Sequence, residues 1–146
     1  MRTIHFTLLI AFTLMSSTAL WAQPSNDGCE APIPITDVTS WCSAASAFTS
    51  VAATPSGYGP ASCFSYAGND VWFSFVAEAE DVTIVIRGAT NIAPGRTMVQ
   101  PEVAIYAGTC GGIINELQCE TDIVTANIVE MYKGGLTIGE TYLIRV

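Results

Sequence analysis

A nearly continuous apolar run, residues 71–76, directly follows the turn-forming residues Gly68, Asn69 and Asp70. Val, Trp and Phe fit a buried, pleated surface, so this run predicts a central β-strand. Apolar and polar residues then alternate strictly over residues 82–87, which predicts a second strand. The acidic segment Glu-Ala-Glu-Asp, residues 78–81, lies between the two strands, and we expect it to form the turn of a β-hairpin.

Shorter runs of the same kind continue along the chain. They predict strands at residues 45–53, 102–107, 113–119, 127–132 and 141–146. Residues 31–36 can form an edge strand at best, because Pro32 and Pro34 interrupt them. No stretch keeps a 3.6-residue period for three turns, so no helix is expected. Seven or eight short strands separated by Gly- and Pro-rich loops predict an all-β protein with an antiparallel β-sandwich.

The strand pattern also predicts the core. We expect it to contain Val71, Trp72, Phe73, Phe75, Ile84, Ile105, Tyr142 and Ile144. Arg145 interrupts the last apolar strand and either faces solvent or pairs with a nearby acid. That strand ends at Val146 without a polar tail, which would leave an unpaired apolar edge. We therefore expect a final strand to be missing, either because the chain is truncated at its C-terminus or because the strand comes from elsewhere.

Residues 1–22 have the pattern of a signal peptide: Arg2, an apolar region over residues 4–15, and small residues before a cut after Ala22 or Ala19. The alternative is a short N-terminal anchor. No later segment is long and apolar enough to cross a bilayer. Residues 23–146 are expected to form one domain that is secreted or held at the cell surface.

Loss of this leader leaves four basic and 13 acidic residues, a formal charge of −9. Such a chain repels phosphate backbones and anionic membrane surfaces. Nucleic acid is therefore not an expected partner, and no membrane insertion is expected.

All five cysteines follow the leader and should be largely oxidised in an exported protein. Cys110 and Cys119 span a short hairpin-like segment and are the predicted local disulfide, which would stabilise the fold by roughly 2–3 kcal/mol. One pair among Cys29, Cys42 and Cys63 is expected, with one thiol left over. The sequence leaves the three pairings open.

The only histidine, His5, lies in the leader. The remaining chain therefore lacks Ser-His-Asp and Cys-His hydrolytic sites and histidine-based zinc sites. Glycoside hydrolysis needs only two carboxylates, but the acidic residues fall mostly in turns. No catalytic residue is predicted, and the chain is not expected to be an enzyme.

Calcium is the one cofactor that the residues suggest. Asn69 with Asp70, and Glu120 with Asp122, place oxygen ligands in turns at strand ends. No EF-hand spacing accompanies them. The alternative is that these side chains cap turns or stay solvated.

Four aromatic residues, Trp41, Tyr58, Phe64 and Tyr66, fall in predicted loops. Exposed rings can stack on sugars, so these residues are candidates for glycan binding. The alternative is a satellite cluster of buried rings that covers one end of the sandwich.

Four pieces of the sequence share an order and spacing with a known family. They are residues 26–29 (Asn-Asp-Gly-Cys), residues 70–75 (Asp-Val-Trp-Phe-Ser-Phe), residues 103–106 (Val-Ala-Ile-Tyr) followed by Gly108, Cys110 and Gly111, and residues 135–146, which end in Tyr-Leu-Ile-Arg-Val. Over about residues 26–146 the chain resembles the bacterial pre-peptidase C-terminal-like (PPC-like) β-sandwich modules of secreted and cell-surface Bacteroidetes-type proteins. Family members usually run one strand past the last segment, and this chain stops there.

The resemblance implies a non-catalytic, jelly-roll-like domain appended to peptidases, adhesins or other exported proteins, often ahead of a type IX secretion sorting domain. We therefore expect a structural or adhesive module whose partners are neighbouring domains or cell-surface components. A carbohydrate-binding module that uses the loop aromatics is the alternative.

Overall fold

The computed structural model describes residues 22–66, 68–88, 98–122 and 127–146. In these ranges the protein is an all-β sandwich of seven strands in two sheets, as predicted. The strands are β1 (Ile33–Ile35), β2 (Trp72–Val76), β3 (Asp81–Arg87), β4 (Glu102–Gly108), β5 (Ile114–Thr121), β6 (Ile128–Gly134) and β7 (Thr141–Arg145). None of the described residues forms a helix long and apolar enough to span a membrane. The predicted leader, apart from Ala22, lies outside the described residues.

The larger sheet has five strands in the order β1-β2-β7-β4-β5. Its last four strands are antiparallel to their neighbours, whereas β1 runs parallel to β2. The predicted antiparallel sandwich is thus confirmed for all the other strand pairs, and the β1–β2 pair at this edge is parallel. Residues 36–71 connect β1 to β2, and a connection of that length allows the crossover that parallel pairing requires.

The smaller sheet contains β3 and β6, which pair antiparallel along their whole length. The predicted hairpin of β2 with β3 is wrong, because the two strands belong to different sheets. Ala77, at the end of β2, donates to the Glu140 carbonyl of the larger sheet (2.9 Å), whereas the Glu80 carbonyl accepts from Leu136 beside β6 (2.8 Å). The acidic turn therefore carries the chain from one sheet to the other.

The predicted strand at residues 45–53 does not form. Ser46 and Ala52 adopt φ angles of 61° and 65°, in the left-handed region that interrupts extended backbone. Phe48 from this segment packs edge-on against Phe73, with ring centroids 5.0 Å apart. The segment therefore contributes to the fold by packing against the sheet and not by strand pairing.

The main core lies between the two sheets. Its buried residues are Ala53, Val71, Phe73, Phe75, Ala77, Ile84, Val103, Ile105, Val129, Met131, Leu136, Tyr142 and Ile144. Seven of the eight residues predicted for the core are in this set. The eighth, Trp72, is also fully buried but belongs to a second cluster.

That second cluster covers the opposite face of the larger sheet. Trp72, Ala104, Tyr106 and Leu143 point outward from the sheet and pack beneath Cys29, Tyr58, Ala61 and Phe64. Neighbouring positions of one strand therefore enter different layers, because side chains alternate between the two faces of a sheet. Burial on both faces explains why β2, β4 and β7 are almost continuously apolar. We call residues 54–66, which supply most of this cover, the covering loop.

Two disulfides attach this outer layer to the sheet. Cys29 is bonded to Cys110, in the turn after β4, and Cys63 is bonded to Cys119 in β5. The predicted pairing of Cys110 with Cys119 is wrong. Cys119 lies well along β5, where each residue adds about 3.3 Å. It is therefore further from Cys110 than the roughly 7 Å between Cα atoms that a disulfide can bridge. The leftover thiol is Cys42, which is exposed.

These pairings predict the result of thiol mapping. Labelling of the native protein should modify Cys42 alone, since the other four cysteines are bonded. Mass spectrometry of an unreduced digest should find peptides linking Cys29 to Cys110 and Cys63 to Cys119. A reduced sample is the control and should label at every cysteine. A linked peptide that joins Cys110 to Cys119 would contradict the pairing.

Two distant parts of the chain meet at the start of β2. The Asn26 carbonyl accepts from the Trp72 amide (2.8 Å), and the Asn26 side chain donates to the Trp72 carbonyl (2.9 Å). Val146 exchanges two backbone hydrogen bonds with the adjacent Val71, at 2.9 and 3.0 Å. Asn26 and Val146 are therefore held at the same end of the sandwich.

Candidate functional site

A buried ion pair lies beneath the covering loop. The Arg145 Nε atom is 2.9 Å from Asp70 Oδ2, and the two side chains are only 1% and 3% exposed. Arg145 is opposite Trp72 in the β2–β7 ladder. This position brings it close to Asp70, which lies two residues before β2. Of the two alternatives for Arg145, pairing with an acid is the one that the structure shows.

Further contacts extend this pair into a network. Asp70 also accepts from the Trp72 indole nitrogen (3.1 Å) and from the Ser56 backbone amide (3.1 Å). Arg145 donates to the Gly59 carbonyl (2.6 Å), and its guanidinium carbon lies 5.3 Å from the ring centroids of both Phe64 and Trp72. The rings add cation–π attraction. The network therefore fastens the covering loop to the sheet.

Tyr106 packs beside this network, with its ring centroid 5.6 Å from that of Trp72. Burial raises the pKa of the Tyr106 hydroxyl, because desolvation disfavours the phenolate, while the nearby Arg145 guanidinium acts in the opposite direction. The hydroxyl is therefore protonated at neutral pH.

The first predicted calcium pair is engaged in internal contacts. Both carboxylate oxygens of Asp70 accept hydrogen bonds, one of them from Arg145. In the amide orientation that satisfies its neighbours, Asn69 donates to the carbonyls of Ala53 (2.9 Å) and Gly68 (2.7 Å). A cation at this pair would have to compete with a guanidinium for Asp70.

The second predicted calcium pair lies at the end of β5. Glu120 accepts from Gln118 (3.1 Å), and Asp122 is buried, with its backbone amide donating to the Pro101 carbonyl (3.1 Å). Across the ranges that the structure describes, no three His, Cys, Asp or Glu side chains form a group suited to a metal ion. Calcium at either pair stays a prediction, which a calcium titration followed by thermal unfolding would test.

Two of the four candidate aromatics belong to the outer layer. The Tyr58 ring packs edge-on against Trp72 at 5.9 Å, and its hydroxyl accepts from the Gly111 amide at 2.7 Å. Phe64 lies over Arg145. Both side chains are half-buried and stabilise the covering loop.

The other two candidates are more exposed. Trp41 is 42% exposed and stacks on Phe48 at 6.1 Å, and Phe48 in turn contacts the core residue Phe73. Tyr66 is 77% exposed. Trp41 is therefore connected to the core between the sheets. Tyr66, the last residue of the covering loop, is in neither of the two buried clusters.

Tyr66 borders a shallow cleft of about 190 Å³. Phe64, Asn69 and Asp70 also line it. The cleft therefore combines aromatic residues predicted to bind glycan with polar residues predicted to bind calcium. Gln100 and Glu102, which the sequence analysis did not single out, complete its polar wall. Glu102 accepts from both the amide and the hydroxyl of Ser65, each at 2.9 Å. Only the fold brings these residues together, because they are far apart in the sequence.

A second, larger groove of about 420 Å³ lies beside the N-terminal segment. Asp27, Glu30 and Tyr58 line it. Asp27 accepts from the amide and hydroxyl of Thr54, at 2.5 and 2.7 Å, so this carboxylate also holds the start of the covering loop. Neither Asp27 nor Glu30 was predicted as a ligand, because isolated acids near turns carry no ligand signal.

Comparisons with protein-family models, with curated proteins and with solved structures found no match. The resemblance to PPC-like modules therefore stays a prediction. The fold itself defines the class: a β-sandwich whose larger sheet is covered on both faces, with the outer layer attached by disulfides.

Proposed function

We propose that this protein is a non-catalytic structural or adhesive β-sandwich module of an exported protein, secreted or displayed at the cell surface. The proposal rests on the burial of both faces of the larger sheet. Two disulfides and a buried ion pair attach the irregular layer that covers its outer face. Such a layer reinforces a domain without adding a catalytic group. Its partners would be neighbouring domains of a larger protein or cell-surface components.

The disulfides support an oxidising compartment, because structural disulfides persist outside the cytosol. The signal-peptide pattern of residues 1–22 points the same way. Resemblance to PPC-like modules, which belong to exported proteins, adds a third argument.

Polar side chains near the outer layer support the non-catalytic part of the proposal. Glu116 on β5 accepts from both the amide and the hydroxyl of Ser62, and Glu102 on β4 does the same for Ser65. Together with Asp27 and Asp70, these carboxylates bind the backbone of the covering loop. These four carboxylates are thus engaged in holding the loop.

Two measurements on the native protein test this proposal. Fractionation and intact-mass analysis should find the chain outside the cytoplasm and lacking residues 1–22, alone or within a larger polypeptide. A panel of hydrolase substrates should show no turnover. Retention of the leader in a cytoplasmic protein would contradict export, and turnover that survives purification would contradict a non-catalytic module.

A carbohydrate-binding module is the second candidate, and the exposure of Tyr66 favours it. Its ring borders the cleft that Gln100 and Glu102 line, so one face can stack on a sugar while amide and carboxylate groups meet sugar hydroxyls. Tyr58 and Phe64 are less suited to stacking, because they pack against Trp72 and Arg145.

This candidate predicts that Tyr66→Ala weakens binding to any glycan that an array of the native protein identifies. The loss should be about tenfold or more, as expected for an anchoring aromatic side chain. The free energy of unfolding should change by less than about 0.5 kcal/mol, since the ring is exposed. Both quantities can be measured on one preparation, by calorimetric titration and by urea unfolding.

Tyr132→Ala is the matched control, because Tyr132 is 62% exposed but lies on β6, away from the cleft. It should leave binding unchanged. The carbohydrate-binding candidate would be rejected if the two variants lost affinity equally, or if the native protein bound no glycan on the array.

A further inference from the structure

Strand β3 has one free edge. In the described part of the chain its only strand neighbour is β6, and its seven residues pair with β6 without a bulge. Residues elsewhere in the described ranges make no backbone hydrogen bond to β3. This edge therefore differs from the β5 edge of the larger sheet, where the ladder with β4 contains a register shift.

The register identifies the backbone groups on this edge. The Gly88 amide donates to the Asn127 carbonyl directly opposite (2.7 Å), so the even-numbered residues of β3 form the hydrogen-bonded pairs with β6. The odd-numbered residues, Asp81, Thr83, Val85 and Arg87, then direct their amides and carbonyls away from β6. Within the described residues, the backbone groups of these four residues have no hydrogen-bond partner along the length of the strand.

Natural proteins usually protect such an edge with proline, lysine, a bulge or an inward-facing charge. Strand β3 has none of these, and its central residues are β-branched. Its inward-facing Val82 and Ile86 pack against the main core but stay half-buried, whereas Ile84 between them is buried. One more strand beside β3 would both pair the backbone and cover these two side chains.

The sequence of β3 is complementary to itself in the antiparallel direction. When two copies pair about a twofold axis at Ile84, Asp81 of each copy lies opposite Arg87 of the other. Val82 then lies opposite Ile86, and Thr83 opposite Val85. The same register makes odd-numbered residues the hydrogen-bonded pairs, which are the ones whose backbone groups are unpaired.

We propose that the free edge of β3 binds β3 of a second copy of this chain, which forms a continuous four-stranded sheet, β6-β3-β3-β6, across a symmetric dimer. The apolar pairs lie on the core side of this sheet, and the two Asp81–Arg87 pairs lie on its solvent side. Within the described residues neither charge has an ion-pair partner in its own chain. A second copy supplies one for each, and opposite charges at facing strand positions favour pairing.

Sedimentation velocity over a range of concentrations tests the dimer, with Cys42 alkylated so that no intermolecular disulfide forms. The wild-type protein should dimerise reversibly. Asp81→Arg should raise the dissociation constant of the dimer by about tenfold or more, because it places like charges at both ends of the paired strands. The double variant Asp81→Arg with Arg87→Asp should return it to within about threefold of wild type, since the charges are exchanged but again opposite.

Two further variants separate this edge from the rest of the surface. Thr83→Pro removes an amide that points away from β6, so it should abolish the dimer and leave the ladder with β6 intact. Glu130→Arg makes the same charge change as Asp81→Arg, but on β6, and should leave the dimer unchanged. Circular dichroism should show the native fold in each variant.

Three outcomes would overturn the proposal. The first is a wild-type protein that stays monomeric at the highest concentration reached, which would leave the edge for a strand of another protein. The second is a dimer that survives both Thr83→Pro and Asp81→Arg, which would place the interface elsewhere. The third is a double variant, Asp81→Arg with Arg87→Asp, that stays monomeric although Glu130→Arg still forms the dimer.

Discussion

Replacing Trp72 by alanine should lower the free energy of unfolding by about 3–5 kcal/mol. Trp72 is 0% exposed and lies between the larger sheet and the covering loop. Its ring contacts those of Tyr58 and Tyr106, and its indole nitrogen donates to Asp70. Alanine would leave a cavity and remove one hydrogen bond from a buried carboxylate. Urea unfolding followed by far-ultraviolet circular dichroism, with the disulfides intact, measures the loss.

Trp41→Ala is the matched control, because it removes the same side chain from a site that is 42% exposed. It should cost no more than about 1 kcal/mol, since its main ring contact is with the exposed Phe48. If Trp72→Ala and Trp41→Ala cost the same, the outer layer does not pack on β2 as described.

Replacing Arg145 by methionine should cost about 3–5 kcal/mol, because it leaves the buried Asp70 carboxylate without its ionic partner. Methionine approximates the length of the arginine side chain, so the loss reports mainly on charge and hydrogen bonding. Arg87→Met is the control and should change the free energy of unfolding by less than about 0.5 kcal/mol in the monomer, since Arg87 is exposed on β3.

A double-mutant cycle then measures the coupling between the two charges. Asp70→Asn should also destabilise the protein, because it leaves Arg145 buried without an opposite charge. The double variant should lose less than the sum of the two single losses, since neither charge remains unpaired. Strictly additive losses would show that Asp70 and Arg145 contribute independently and would contradict the network.

Local pattern predicted much of the central sandwich. Alternation over residues 82–87 matched β3, because one face of this strand is turned to the core and the other is exposed. The apolar run around Trp72 matched β2, because both faces of that strand are buried. Pairing could not be inferred in the same way. An acidic turn between two strands looks the same whether the strands form a hairpin or belong to different sheets, and only the contacts of Ala77 and Glu80 decide.

The outer layer was harder to predict, because it has no period. Residues 54–66 form no strand or helix, and their position depends on Cys63, Tyr58 and the ion pair beneath them. Proximity in sequence favoured Cys110 with Cys119, whereas the fold brings each of them to a cysteine at least 56 positions away.

The candidate sites also depend on contacts between residues that are distant in the sequence. Asp70 and Arg145 are 75 positions apart, and the sequence could offer only an unspecified acid as a partner for Arg145. Tyr66 and Asn69 were singled out for sugar and calcium separately, and the structure places both at one cleft. Gln100 and Glu102 gave no signal, because a polar residue near a strand end is ordinary until its neighbours are known.

The Cys29–Cys110 disulfide determines how this domain responds to tension. A pull applied at Asn26 and Val146, which meet at the start of β2, passes from Cys29 directly to Cys110 through a covalent bond. While this bond is intact, the chain between the two cysteines, including β1 to β4, cannot be drawn out. At about 3.5 Å per residue, the longest extension is about 140 Å, where the same chain without disulfides would reach about 420 Å. The oxidised domain would therefore extend to only about a third of the length of the unbridged chain, and reduction would triple its reach.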